Sequence, residues 1–318
     1  MELLVRTSLF ATRSEESGRL PLMPPPCVIF NPAARGEKAR HFRDHLAALS
    51  NSAELKPTYA PGSGRALARE AVQEGFTTIV AAGGDGTLNE VVNGIHDANG
   101  TERCRLGVLP LGTINVFARE LRLPTAFDAA WRIIESGREQ LIDLPAVEFN
   151  RDGAPTRQVF AQLAGAGLDS RAIELVNWEL KKKLGPVAYV VAGFKALAEP
   201  KPKIIASSAR DGGQGELVLI GNGRYYGGSF ELFPDASLDD GLLDVTIFPH
   251  VNWETLIKTG WGWLTDQIRS SAGCLHFKTD RVTLTSAGPV SFELDGDNAG
   301  SLPATFTVAR KALRVLVP

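Results

Sequence analysis

Cysteine is scarce in this sequence. The three residues, Cys27, Cys104 and Cys274, are odd in number and far apart, and no pair has CxxC spacing. That excludes a disulfide scaffold and a thiolate zinc cluster, and it fits free thiols in a reducing cytoplasm. Histidine is sparse too, at five residues. His41 and His45 share a helix face, but His41-Phe42-Arg43-Asp44-His45 lacks the glutamate that a zinc-protease helix places after its first histidine. Charge of one sign is also lacking. Lys and Arg number 34 against 36 Asp and Glu, a formal net charge of -2, so the molecule as a whole has no electrostatic reason to seek nucleic acid. No apolar run reaches the roughly 20 residues that cross a bilayer. Residues 1–26 carry only a short apolar patch, broken by Arg6 and Thr7, and end in Pro24-Pro25-Pro26. They read as a flexible tail and not as a signal peptide. Two phosphate-binding signatures are missing as well, the Walker GxxxxGK[ST] and the dinucleotide GxGxxG.

What is present is a folding sequence of 318 residues, 44% hydrophobic and 22% charged. Short apolar runs at 27–30, 54–59, 77–82 and 105–110 alternate with helical patterns at 37–49, 65–74, 88–95, 116–121 and 126–136. Such alternation predicts a parallel sheet covered by helices on both faces. After about residue 143 the character changes. Runs at 147–163, 203–210, 216–221, 242–248, 275–285, 290–294 and 305–317 read as strands between Gly, Pro and Asp turns. Helices are expected there only at 170–183, 186–198 and 253–268. The expected organisation is α/β plus β: a flexible tail at 1–26, an α/β domain at 27–145, and a mainly antiparallel β domain at 146–318. A site in the cleft between the two domains suits this layout.

Two loops carry the chemistry. The first is Ala81-Ala82-Gly83-Gly84-Asp85-Gly86-Thr87-Leu88-Asn89-Glu90. Three glycines in four positions between a strand and a helix let backbone approach a ligand closely, and the helix points its N-terminus at the same place. Asp85 in that loop would repel a bare pyrophosphate, which argues for a nucleotide carried with Mg²⁺. The plainer alternative is a turn in which Asp85 and Thr87 cap the helix. The second loop, Pro110-Leu111-Gly112-Thr113-Ile114-Asn115, again joins a strand to a helix. Loops at the carboxyl ends of neighbouring parallel strands converge on one crevice.

These residues, with others that follow in order, resemble the diacylglycerol kinase catalytic-domain family, which includes bacterial lipid kinases, sphingosine kinases and ceramide kinases. The further matching elements are Asn31-Pro32, Thr58 with Gly62, the helix from Leu88 to Gly94, Ala164-Gly165-Ala166-Gly167-Leu168-Asp169, Asn222, Gly227-Gly228, the stretch from Pro234 to Val245, and Leu294-Asp295-Gly296-Asp297. The resemblance implies a doubly wound α/β nucleotide domain at 27–145, a β-sandwich lipid-substrate domain at 146–318 with room for its last strand to return to the first domain, and ATP-dependent phosphoryl transfer to a lipid hydroxyl. It places nucleotide at Asn31, Thr58, Gly83, Gly84, Asp85, Gly86, Thr87, Asn89, Glu90, Gly112 and Thr113. It also implies Mg²⁺ at the Asp239-Asp240-Gly241 loop, through the Asp240 carboxylate and the carbonyls of Ser237 and Leu242. Asp297 stands where the family has the glutamate proposed as base, one methylene shorter, and Asp85 is the second catalytic candidate. Arg35, Lys38 and Arg119 are candidates for phosphate contact. Trp178 beside Lys181-Lys182-Lys183, with Trp253, Trp261 and Trp263, has the composition of an interfacial anchor. A cytoplasmic protein touching the inner membrane face is expected, with dimerisation left open. Two other readings stay open: an NAD kinase, which shares the Gly-Gly-Asp-Gly loop, and a non-catalytic nucleotide- or lipid-binding regulator of the same fold.

Overall fold

A computed structural model describes residues 24–34, 37–168, 202–228, 230–252 and 273–318. The expected helices at 170–183, 186–198 and 253–268 fall outside those residues. So do Arg35, the tryptophan–lysine segments and the side chain of Lys38.

The first part alternates as its sequence does: β1 (Cys27–Phe30), α1 (Glu37–Leu49), β2 (Glu54–Pro57), α2 (Ser63–Gln73), β3 (Thr78–Gly83), α3 (Asp85–Asp97), β4 (Arg105–Pro110), α4 (Val116–Glu120) and α5 (Phe127–Ser136). The four strands pair parallel in the order β2-β1-β3-β4. Every residue of β1 and β3 is buried, as a strand covered on both faces requires. One helix layer seats Ala68, Ala71 and Val72 of α2 and Val91, Val92 and Ile95 of α3 on the sheet. On the opposite face, α5 brings Phe127, Ala130 and Ile134 against Val28, Val80 and Leu109, and Phe42 of α1 joins them.

The strands that follow are β5 (Arg138–Arg151), β6 (Ala154–Val159), β7 (Leu163–Gly167), β8 (Ile204–Ser207), β9 (Gly212–Gly215), β10 (Leu217–Gly221), β11 (Tyr225–Tyr226), β12 (Phe230–Glu231), β13 (Leu243–Phe248), β14 (Leu275–Thr279), β15 (Arg281–Ser286), β16 (Ser291–Leu294), β17 (Asp297–Ser301) and β18 (Ala304–Val317). Apart from β11 and β12, which pair with each other as a separate ribbon, they form two facing sheets. One has the order β14-β13-β10-β7-β16-β17. The other continues the parallel sheet itself through β18 to β15, β8 and β9. The core between them is built from Val147, Ile204, Val282, Leu284 and Phe306 on one side and Ala166, Val218, Ile220, Val245 and Phe292 on the other. The shared strand is β18. It lies parallel to β4 and antiparallel to β5 and β15, and its register with β5 shifts between Ala309 and Leu313.

Two strand readings and one loop reading are corrected. Residues 147–163 are not one strand. Asp152 and Gly153 have φ of 52° and 80° and close a two-residue hairpin between Arg151 and Ala154. Residues 275–285 split at Asp280, where the chain leaves one sheet for the other. The first glycine loop is also shorter than its sequence suggests. Only Gly84 lies between β3 and α3, so Asp85-Gly86-Thr87 is the first turn of the helix.

Candidate active site

Because β1 to β4 run parallel, the residues after them line one edge of the sheet. Thr58 N donates to Phe30 O at 2.8 Å, Asn31 N to Ala82 O at 3.3 Å and Leu111 N to Gly83 O at 2.9 Å. Asn31 Oδ1 accepts from Ala33 N at 2.9 Å and fixes its own turn. The two glycine loops touch through backbone. A side chain at Gly84 would meet Gly112 Cα at 3.4 Å, and one at Gly112 would meet Asn115 Oδ1 at 2.7 Å. Asn115, at φ 56°, stiffens the second loop by accepting from Gly112 N at 3.0 Å and donating to Gly112 O at 2.7 Å. The N-cap of α3 is Gly84, which has no side chain to cap the first N–H groups, and the helix dipole favours an anion at this junction. Thr113 is exposed beside it, and Thr87 leans over Gly83.

Asp85 turns its carboxylate toward the start of α4. Its Oδ1 accepts from Phe117 N at 3.5 Å, and the N–H groups of Val116 and Asn115 also favour its charge, so it ties the first loop to the start of α4. Burial, with the nearby Asp295 charge, pushes its carboxyl above the usual range. Asn89 and Glu90 are held in framework contacts. Glu90 accepts from Gly62 N and Gly64 N, both at 2.7 Å, and so caps α2. Gly62 takes φ of 83° to allow it. Asn89 Nδ2 donates to Asp295 Oδ2 at 2.9 Å.

That last bond leads to the feature the sequence reading missed. Asp295 and Gly296, at φ of 49° and 92°, form the tight turn joining β16 to β17. The Asp295 carboxylate is buried and also accepts from Ala161 N at 2.8 Å, Gln162 N at 2.9 Å and Leu163 N at 3.0 Å. Burial raises its pKa and these donors pull it back. One side chain thereby locks α3 to the strand-rich part of the chain. Asn93, one helical turn on, adds a bond to Val159 O at 2.8 Å and one from Val159 N at 3.0 Å. Glu120 makes a third link: it closes α4, is 6% exposed, and accepts from Arg224 N at 2.7 Å and Arg224 Nε at 2.9 Å. The Asp-Gly turn was legible in sequence, but the carboxylate's four partners were not. Glu120 gave no sequence signal.

The locked turn delivers Asp297. Its Oδ2 lies 3.5 Å from where a side chain on Gly86 would begin. A carboxylate of the β-rich part therefore faces the first turn of α3 across the cleft.

The Asp240 loop is built differently. Gly241, at φ 77°, donates its N–H to Asp143 Oδ2 at 2.6 Å, and Asp143 Oδ1 takes Lys311 N at 2.7 Å from the β18 bulge. Asp240 Oδ1 accepts from Leu242 N at 2.9 Å and Oδ2 from Lys278 Nζ at 2.8 Å. Ser237 Oγ donates to Asp239 at 2.7 Å. Both oxygens of the expected metal-binding carboxylate are engaged, one by a cation. Among the described residues, no group of three acidic, histidine or cysteine side chains converges to hold a metal. The loop as built does not fit a divalent ion beside that ammonium.

Residues 25–147 match the diacylglycerol kinase catalytic domain family, and residues 162–317 match the YegS C-terminal NAD kinase beta sandwich-like domain. A diacylglycerol kinase of Bacillus subtilis is 32% identical over 304 residues, covering 92% of this chain and 95% of the relative. The chain belongs to the diacylglycerol kinase family. It is thus an enzyme of the lipid-kinase class, a phosphotransferase with an alcohol acceptor. A diacylglycerol kinase of Staphylococcus aureus is 30% identical over 299 residues, covering 92% of this chain and 91% of its own length. Among solved structures, a diacylglycerol kinase from Bacillus anthracis superposes with a TM-score of 0.72 at 22% identity, covering 94% of this chain and 99% of that one. Yeast NADH kinase, complexed with NADH, shares the fold with a TM-score of 0.53 at 9% identity, over 92% and 83% of the two chains. Among the described residues, no helix is long and apolar enough to cross a membrane.

Proposed function

We propose that this lipid kinase transfers the γ-phosphoryl group of ATP to a lipid hydroxyl, with diacylglycerol or a sphingoid or ceramide-type lipid as acceptor. The observation that carries this reading is the Asp297 carboxylate facing Gly86 at the start of α3, beside the touching Gly84 and Gly112 backbones. The polyphosphate lies against the N–H groups of that first helical turn and the Gly112-Thr113 loop, with Asn31 and Thr58 along the same edge. The acceptor oxygen attacks the γ-phosphorus and its bond to the bridging oxygen breaks. ADP departs, and the hydroxyl proton passes to Asp297. Mg²⁺ carried on the triphosphate would offset the charge on its β- and γ-oxygens. Asp85 acts by holding α4 and the second loop against the first. Asn89 and Glu90 act by fixing α3.

The lipid acceptor makes contact with a membrane surface part of the same proposal, with the chain on the cytoplasmic face. The test is incubation with Mg-[γ-³²P]ATP and a panel of diacylglycerol, sphingosine, ceramide and polyprenol in mixed micelles, with NAD as a separate arm. Label in one lipid is expected. Label in NAD alone would replace this reading with a dinucleotide kinase. Nucleotide binding with no labelled product would point to a regulator.

A further inference from the structure

The ammonium in the Asp240 loop has a built set of partners. Lys278 stands opposite Asp244 in the β13–β14 register. Its Nζ lies 2.6 Å from the Asp235 carbonyl, 2.8 Å from Asp240 Oδ2 and 3.2 Å from Asp244 Oδ2. An ammonium has three donors, and here each has an oxygen. Asp240 Oδ1 is closed by Leu242 N, and Asp244 Oδ1 lies 3.2 Å from His276 Nε2. Mg²⁺ demands near-octahedral oxygens at about 2.0–2.1 Å. It would enter only by ejecting a charge of its own sign from the carboxylate it needs.

We propose that Lys278 is the resident cation of this loop, and that the loop binds no divalent metal in the absence of nucleotide. The ammonium does the bracing that an ion would do: it holds the turn at 235–240 to the strands at 244 and 278. Burial works against its charge, but Asp240 and Asp244 outweigh it and hold the lysine above its usual pKa. Any metal requirement of the enzyme then travels with the nucleotide. The proposal stands apart from the kinase reading, because its test reads stability and metal binding.

The full chain, without nucleotide, would be melted in EDTA and in about 10 mM MgCl₂. The wild type should shift by less than about 1 °C, whereas Lys278→Met should melt lower in EDTA and recover about 5 °C or more with Mg²⁺. A wild type that gains those degrees itself, with the gain lost in Asp240→Asn, would overturn the proposal. So would a Lys278→Met protein that melts like the wild type and ignores the metal. If that variant does not fold, Mn²⁺ titration of the wild type by electron paramagnetic resonance decides. No site tighter than about 0.1 mM is expected without nucleotide, and one that Asp240→Asn removes refutes it.

Discussion

Two acidic turns in the β-rich part share one sequence signal and meet opposite fates. Both are Asp-Gly pairs with glycine at positive φ, Asp240-Gly241 at 77° and Asp295-Gly296 at 92°. Around the first, every neighbour answers the carboxylate from within: Lys278 and Leu242 N take its oxygens, and Asp143 takes the glycine N–H. Around the second, the internal answers go to Asp295, and the next carboxylate, Asp297, is presented to α3. What separates the two turns is direction: the first faces its own strands, and the second brings a carboxylate to the start of α3.

The sharpest way to break this comparison is to exchange the losses. Asp297→Ala should lower kcat by about 10²- to 10⁴-fold, with a melting temperature within about 1 °C of the parent. Asp240→Ala should do the reverse, melting lower while kcat stays within about threefold. Equal kcat losses in both variants would erase the distinction.

Next in size, Asp295→Ala leaves four buried donors without their acceptor. Urea unfolding should show a loss of about 3 kcal/mol or more, and a loss under about 1 kcal/mol would mean that the turn is held elsewhere.

Gly112→Ala tests what Asp297 faces. A methyl there would sit 2.5 Å from Gly84 Cα and push the two glycine loops apart. The KM for ATP should rise about tenfold, as a loosened backbone cradle would give, with little change in the lipid KM.

The smallest effect concerns a third carboxylate, Glu216, paired to Lys203 at 3.1 Å much as Asp240 is to Lys278. Burial opposes its charge, but Val251 N–H and Lys203 prevail and hold its pKa below the usual 4.5. A depressed carboxylate stabilises the fold above its unfolded pKa and loses that contribution as pH falls through the lower folded value. The melting gap between wild type and Glu216→Gln should therefore be constant from pH 7 to 6 and close below about pH 4.5. A gap that survives at lower pH would assign it to packing.

The parallel strands were legible because local signals repeat there: apolar runs of strand length, then helical periodicity, then glycine at the strand ends. Both glycine loops stand out for that reason, whereas Asn31 and Thr58 are marked only by the family resemblance. The roles of single carboxylates were not legible. Asp85 and Asp297 look alike along the chain, and only neighbours distant in sequence, Phe117 for one and Gly86 for the other, decide that one braces α4 while the other faces the cleft. Lys278 lay inside what read as a single strand. Its meaning appeared only when Asp280 was seen to move the chain between sheets, leaving Lys278 opposite Asp244.

The strand shared by both layers has a consequence for how the molecule is made. β4 has β3 as its parallel neighbour on one side, but on the other it finds its partner only in β18, nearly two hundred residues on. At about 5–20 residues per second, a ribosome delivers β18 roughly ten seconds or more after β4 has emerged. Through that interval the nascent nucleotide-side sheet carries an unpaired edge, a template for mispairing that chaperones would have to guard. Birth of the active cleft thus waits for β18, since the same late strand carries the bulge that anchors Asp143.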